Sequence, residues 1–215
     1  MAEEMITLTI DDETVETAQG TTVLDAALQA GICIPNLCYL PGCKPTGACR
    51  VCIVEVEKNG RKKMTASCTL EAKEGMVIHA HSEEVLKARK NIVELLLAEV
   101  PESEVLQQLA ERLELDEPRY PLREEECILC GRCVAACAEI AATGAKGFIG
   151  RGTERHIGLP FYNETYCQKC DECNERCPLE IEPYSKRKSC GVCGSELSKN
   201  EELIPELCEE CVLED

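Results

Sequence analysis

Apolar and polar positions alternate from the first residues of the chain. Met5–Ile10 sets Ile6, Leu8 and Ile10 against Thr7 and Thr9, the period of a half-buried β-strand. An acidic turn over residues 11–13 leads to a second short strand around Val15. Thr21 or Thr22 can cap a helix over residues 23–30, with Asp25 in its first turn and Gly31 closing it. Residues 34–48 read as a long loop with two Pro-containing turns. Alternation returns over 52–57. Asn59-Gly60 then predicts a hairpin turn, 62–66 the returning strand, and 76–80 a last strand after Glu74-Gly75. Residues 1–81 are therefore expected to form a small β-rich domain.

The period changes at Glu83–Glu99, where Val85, Leu86, Ala88, Ile92, Val93, Leu95, Leu96 and Leu97 make an apolar helical face. Pro101 ends that helix. A second amphipathic helix is expected over 103–115, and Pro118 and Pro121 mark a linker, so residues 82–121 read as a helical connector. Residues 122–185 form the next unit. Within it the glycine-rich stretch 144–158 does not match a dinucleotide-binding fingerprint and reads as a tight connection. Lys186, Arg187 and Lys188 separate a terminal segment, residues 186–215.

Composition changes this picture in one respect. The chain has 18 cysteines but no Trp, two Phe and five Tyr, so metal centres are expected to supply folding energy that its small cores cannot. The formal charge of −17 argues against nucleic acid as a partner, which would need a basic surface. The acidic start MAEEMITLTI is not an export signal, and no apolar run approaches membrane-spanning length. A reducing cytoplasm, with cysteines kept as metal ligands, is the expectation.

Eight cysteines fall in two matched C-x2-C-x2-C-x3-C runs: Cys127, Cys130, Cys133 and Cys137, then Cys167, Cys170, Cys173 and Cys177, followed by Pro178. This spacing points to two [4Fe–4S] clusters, because the fourth cysteine of each run crosses to the other cluster. The expected sets are Cys127, Cys130, Cys133 with Cys177, and Cys167, Cys170, Cys173 with Cys137. Zinc, which favours separated C-x2-C pairs, explains neither the third cysteine nor the repeat. Nearer the N-terminus, Cys38, Cys49, Cys52 and Cys68 could hold a [2Fe–2S] cluster. Cys38-x4-Cys43 mimics part of the plant-type spacing, so Cys43 is a rival ligand, and Cys33 reads as a small buried hydrophobe. Cys190, Cys193, Cys208 and Cys211 have zinc-ribbon spacing. A rubredoxin-type iron site would use the same thiolates, but usually with aromatic residues, and none follows Tyr184. No catalytic constellation and no phosphate-binding motif stand out.

The segments IPNLCYLPGCKPTGACRVCIVEV, ASCTLEAKEGMVIH, KARKNIVELLLAE, ECILCGRCVAAC and YCQKCDECNERCP resemble a known family. The N-terminal part is similar to the [2Fe–2S] domain of complex I large iron–sulfur subunits and iron-only hydrogenases. The overall pattern, over about residues 5–180, resembles the small iron–sulfur subunit of the diaphorase part of NAD-linked and electron-bifurcating hydrogenases. The resemblance implies an α+β chain: a β-grasp ferredoxin domain, a helical connector and a two-cluster ferredoxin domain, to which the spacing adds the zinc-ribbon-like tail. It also favours Cys38, Cys49, Cys52 and Cys68 over Cys43. It implies an electron relay between a flavin- and NAD(P)H-binding subunit and a hydrogenase, formate dehydrogenase or similar catalytic subunit, with any bifurcation residing in the partner's flavin. One departure is plain. The family usually carries an H-x3-C-x2-C-x5-C motif after the LLLAE helix, whereas residues 82–126 here contain neither His nor Cys. His79 and His81 lack that spacing and read as surface residues. A redox sensor or metal-stabilised scaffold is the alternative function.

Overall fold

The computed structural model describes residues 4–160, 167 and 170–180. The chain divides into two compact units, Met1–Cys130 and Gly131–Asp215.

The first unit is built on a five-stranded sheet. Strands β1 (Met5–Ile10) and β2 (Glu13–Ala18) pair as a hairpin whose register runs from Met5 opposite Ala18 to Ile10 opposite Glu13. Its turn residues, Asp11 and Asp12, have φ of 47° and 70°, the left-handed conformation that a tight hairpin requires and that Asp tolerates. Strands β3 (Ile53–Lys58) and β4 (Arg61–Ala66) make a second hairpin around Asn59-Gly60. Strand β5 (Val77–His79) lies between the hairpins, parallel to β1 and antiparallel to β3, giving the order β2-β1-β5-β3-β4. Helix α1 (Val23–Gln29) buries Val23, Leu24, Ala26 and Ala27 in the core that also holds Ile6, Leu8, Ile10, Val15, Val54 and Ile78. This is the β-grasp arrangement. Thr22, not Thr21, caps α1: its Oγ1 accepts the Asp25 N–H at 3.1 Å. Strand β4 is an outer strand whose Arg61, Lys62, Lys63 and Met64 are exposed.

Helix α2 (Glu83–Glu99) begins at Ser82, whose Oγ accepts the Val85 N–H at 3.3 Å and donates to Glu55 Oε2 at 2.6 Å. The apolar positions predicted to face inward are only partly those that do. Val85, Arg89, Val93 and Leu97, spaced every four residues, are buried, while Leu95 is 51% exposed. Glu94 is also buried, because Arg119 folds back onto it: the Arg119 backbone N–H and Nε each donate to Glu94 Oε1 at 2.8 Å, and Nη2 to Oε2 at 2.6 Å. Helix α3 (Glu104–Arg112) packs on α2.

In the second unit a short helix, Arg132–Ala135, runs into a π-helical turn, Ala136–Ile140. The glycine-rich stretch is more than a connection. It forms a hairpin of β6 (Gly147–Ile149) and β7 (His156–Gly158), with Phe148 opposite Ile157. Gly150, with φ of 70°, is required beside that hairpin, since a Cβ there would lie 2.5 Å from the Glu154 carbonyl oxygen. Among the described residues, no helix is long and apolar enough to cross a membrane.

The Glu94–Arg119 contact yields a prediction. Hydrogen bonds from Arg119 draw the Glu94 carboxyl from 4.5 to about 2, so its contribution is present above pH 4.5 and is lost as pH falls toward 2. At neutral pH, Glu94→Gln keeps the shape and removes the charge. Limited trypsin digestion should then cut after Arg119 several-fold faster than in wild type, with the iron–sulfur absorbance unchanged.

Candidate metal centres

Two devices bring the N-terminal cysteines together. The first is the β3–β4 register. Ile53 lies opposite Ala66, which carries Cys52, the residue before β3, toward Ser67, the residue after β4. Ser67 is fully buried; its Oγ donates to the Cys52 carbonyl at 2.8 Å and its N–H to the same oxygen at 3.1 Å. A 3-10 turn, Ser67–Thr69, then presents Cys68. The second device is the loop between α1 and β3. Tyr39 donates a short hydrogen bond to Asp25 in the first turn of α1, and Asp25 also accepts from Thr22 Oγ1 at 2.6 Å. That tie holds the backbone beside Cys38. The Cys38 N–H donates to Cys49 Sγ at 3.4 Å and the Cys49 N–H to Cys38 Sγ at 3.5 Å. Gly47 and Arg50 bend this loop with φ of 64° and 62°.

The four thiols, all buried, form a string of contacts: Cys49, Cys38, Cys68, Cys52. Their proton affinities alternate along it. Hydrogen bonds from Cys49 and Cys68 draw Cys38 down to about 2, and the Cys68 contact draws Cys52 down to about 6. The contact with Cys38 pushes Cys49 far above the ordinary thiol range, and Cys38 and Cys52 do the same to Cys68. Each thiol thus shares protons with its neighbours, and a metal centre bound there displaces those protons. This donor set fits a four-thiolate iron–sulfur centre in chemistry and in backbone N–H supply. Cys43 is also buried, in a turn that its N–H closes on the Leu40 carbonyl at 3.1 Å. Cys33 is exposed, against expectation, because it follows the end of α1 with its side chain away from the core that takes Ile34. His79 and His81 lie at the surface end of β5 and are paired: His79 Nε2 lies 3.0 Å from Glu57 Oε2, and His81 Nδ1 lies 2.6 Å from Asp11 Oδ2.

In the second unit, Cys137, Cys167, Cys170 and Cys173 line one pocket together with Thr143, Lys146 and Glu172. Cys137 stands in the π-helical turn, whose wider loop frees its carbonyl to accept the N–H groups of Thr143 and Gly144 at 3.0 and 3.1 Å. Lys146, only 4% exposed, was not anticipated from the sequence. Its N–H donates to Cys137 Sγ at 3.3 Å and its Nζ to Cys173 Sγ at 3.0 Å. Burial raises the Cys167 thiol against the opposing pull of Lys146. Four thiols served by backbone and ammonium donors fit an anionic cluster.

The remaining run is described residue by residue. Cys127 Sγ accepts the Leu129 N–H at 3.3 Å, in a turn where Leu129 has φ of 51°. Cys130 is buried at the end of the first unit. Cys133 is buried in the helix that starts after Gly131, and the Cys177 N–H donates to the Asn174 carbonyl at 3.1 Å. Cys190, Cys193, Cys208 and Cys211 lie outside the described residues.

Comparison with known proteins agrees with these centres. Residues 3–83 match a 2Fe-2S iron–sulfur cluster binding domain, and residues 126–181 match a 4Fe-4S dicluster domain. The chain is 33% identical over 207 residues to the NADP-reducing hydrogenase subunit HndD of Solidesulfovibrio fructosivorans, covering 81% of this chain and 35% of that protein. It is 35% identical over 199 residues to the NADPH-Fe(3+) oxidoreductase subunit alpha of Geobacter sulfurreducens, covering 81% of this chain and 23% of that protein. It therefore spans about a third or less of the length of these curated relatives. A crystal structure of NAD+-reducing [NiFe]-hydrogenase in the H2-reduced state superposes with a TM-score of 0.61 at 34% identity, over 72% of this chain and 75% of that one. On its fold, its cysteine spacings and these likenesses, the chain belongs to the family of iron–sulfur proteins that includes chains of NAD+- and NADP-reducing hydrogenases.

Proposed function

We propose that this chain relays single electrons between a flavin- and NAD(P)H-binding subunit and a catalytic redox subunit, a hydrogenase or formate dehydrogenase among them. One [2Fe–2S] centre is held by Cys38, Cys49, Cys52 and Cys68. One [4Fe–4S] centre is held by Cys127, Cys130, Cys133 and Cys177, and a second by Cys137, Cys167, Cys170 and Cys173. When bound, these groups supply one-electron redox chemistry. The chain's own residues hold them, exclude water from the first through the buried core around Cys52 and Cys68, and direct N–H and ammonium donors at the sulfurs. The observation that carries the reading is the contact string of four buried thiols in the first unit, together with a set of four around one pocket within the second. The hydrogenase and NADPH oxidoreductase names of the relatives support the nature of the partners. In this reading, domains over residues 1–81, 82–121, 122–185 and 186–215 serve as first ferredoxin, connector, second ferredoxin and zinc-ribbon-like tail.

Three measurements test the reading. Fully loaded, anaerobically purified protein should contain about ten iron atoms per chain with matching acid-labile sulfide. A reproducible value near six would remove one [4Fe–4S] centre. Cys49→Ser should abolish or strongly alter the [2Fe–2S] electron paramagnetic resonance signal of the reduced protein, and Cys43→Ser should leave it nearly unchanged. Loss of the signal in the Cys43 variant would move Cys43 into the ligand set. In the tail, Cys190, Cys193, Cys208 and Cys211 are proposed to hold one structural zinc that supplies the segment's folding energy. Cys208→Ser should then release zinc and make the tail protease-sensitive while the cluster signals persist. An extra iron signal lost in that variant would make the site a redox centre instead.

A further inference from the structure

Helix α2 buries a cation whose surroundings are incomplete. Arg89 is 1% exposed. It stands one helical turn after Val85 and one before Val93, both fully buried, so the helix aims it into the unit. Its Nε donates to the Val51 carbonyl at 3.0 Å, and its Nη2 to the carbonyls of Ile53 at 2.9 Å and Ala80 at 3.1 Å. Val51 and Ile53 flank Cys52 in the chain, so the guanidinium grips the backbone on both sides of a ligand. All three acceptors are neutral. Among the described residues, no carboxylate lies within ion-pair distance of Arg89.

A guanidinium does not give up its proton in a protein, and a buried charge without an opposite charge costs several kcal/mol. Burial pulls the Arg89 pKa below its ordinary value. The groups acting the other way are Cys52 first, then Asp11 and Cys33. Asp11 is already engaged by the Ala80 N–H at 2.7 Å and by the His81 ring at 2.6 Å, and Cys33 is exposed. The remaining place for a compensating anion is the thiolate site itself.

We propose that Arg89 is the built-in counter-cation of the [2Fe–2S] centre and raises its reduction potential by holding a fixed positive charge behind Cys52. This rests on the ligand set proposed above. Two ferric ions and two sulfides on four thiolates leave a dianion, and one added electron makes it a trianion. A nearby cation stabilises the second more than the first. In that step one electron enters from an external low-potential reductant such as dithionite. No bond forms or breaks, and Arg89 keeps its proton. Arg89 is thus a positioning and tuning residue, not a ligand. Because it sits on α2 and also holds the Ala80 carbonyl, it ties the metal loop to the helix that leads away from the sheet.

The competing role is a plain backbone clamp, and three variants of the full chain separate the two. Arg89→Lys keeps the charge with fewer hydrogen bonds. Arg89→Met keeps the length without the charge. Arg89→Gln keeps one donor group without the charge, and is read if the Met protein does not load its centre. All three should lower the melting temperature. The discriminating readout is a redox titration followed by the electron paramagnetic resonance signal of the [2Fe–2S] centre, in protein whose iron and sulfide contents match wild type. At a fixed potential the Lys variant should keep the reduced-to-oxidised ratio within about threefold of wild type, and the Met or Gln variant should lower it about tenfold, equivalent to about 59 mV for a one-electron couple. A wild-type potential in the loaded neutral variants would overturn the proposal, as would an equal fall in Lys and Met. Retention of the signal in Cys49→Ser would overturn the ligand set instead, so the two failures are distinguishable.

Discussion

Four sulfurs pressed together inside a small unit impose one constraint on everything around them: thiolates that close need positive charge among them, whether from protons, metal ions or neighbouring cations. The N-terminal unit is arranged around this problem. The β3–β4 hairpin delivers Cys52 and Cys68 by register, so one slip of the pairing would turn alternate side chains to the other face. The loop after α1 delivers Cys38 and Cys49 by hydrogen bonds from backbone to sulfur. The sheet core of Ile6, Leu8, Ile10, Val54 and Ile78 includes Cys52 and Cys68 themselves, so the proposed metal site and the apolar core are one structure. With two Phe and no Trp to fill space, the chain leans on this union.

The same electrostatic demand accounts for the inner cations. A chain with a formal charge of −17 still buries Arg89 and Lys146, one behind Cys52 and one on Cys137 and Cys173. Burying a cation is costly, and it becomes reasonable where an anionic centre is to be held. Surface acidity and interior basicity then serve different ends, solubility outside and charge balance within.

Much of this was legible in the sequence because its signals are local. Alternation, the Asn59-Gly60 turn and the helix over Glu83–Glu99 need only neighbouring residues, and cysteine spacing states the chemistry directly. What escaped depends on distant parts of the chain. Arg89 breaks the apolar face of α2, yet its place four residues from Val85 and from Val93 was a sign that it points inward. Glu94 is buried only because Arg119 returns to it from 25 positions away. Lys146 and the β6–β7 hairpin sit in a glycine-rich stretch whose pairing depends on Phe148 meeting Ile157, a contact that no short window contains.

The outer strand β4 has a consequence for the handling of the protein. An unpaired strand offers a row of N–H and C=O groups to any other chain. Here the strand begins Arg61-Lys62-Lys63, all exposed, so a second copy laying its own β4 alongside would bring like charges together and strip water from them. Low ionic strength preserves that repulsion and high salt screens it. Concentrated stocks should therefore resist sheet-to-sheet aggregation through this edge best in dilute buffer, even while the metal centres are being reconstituted.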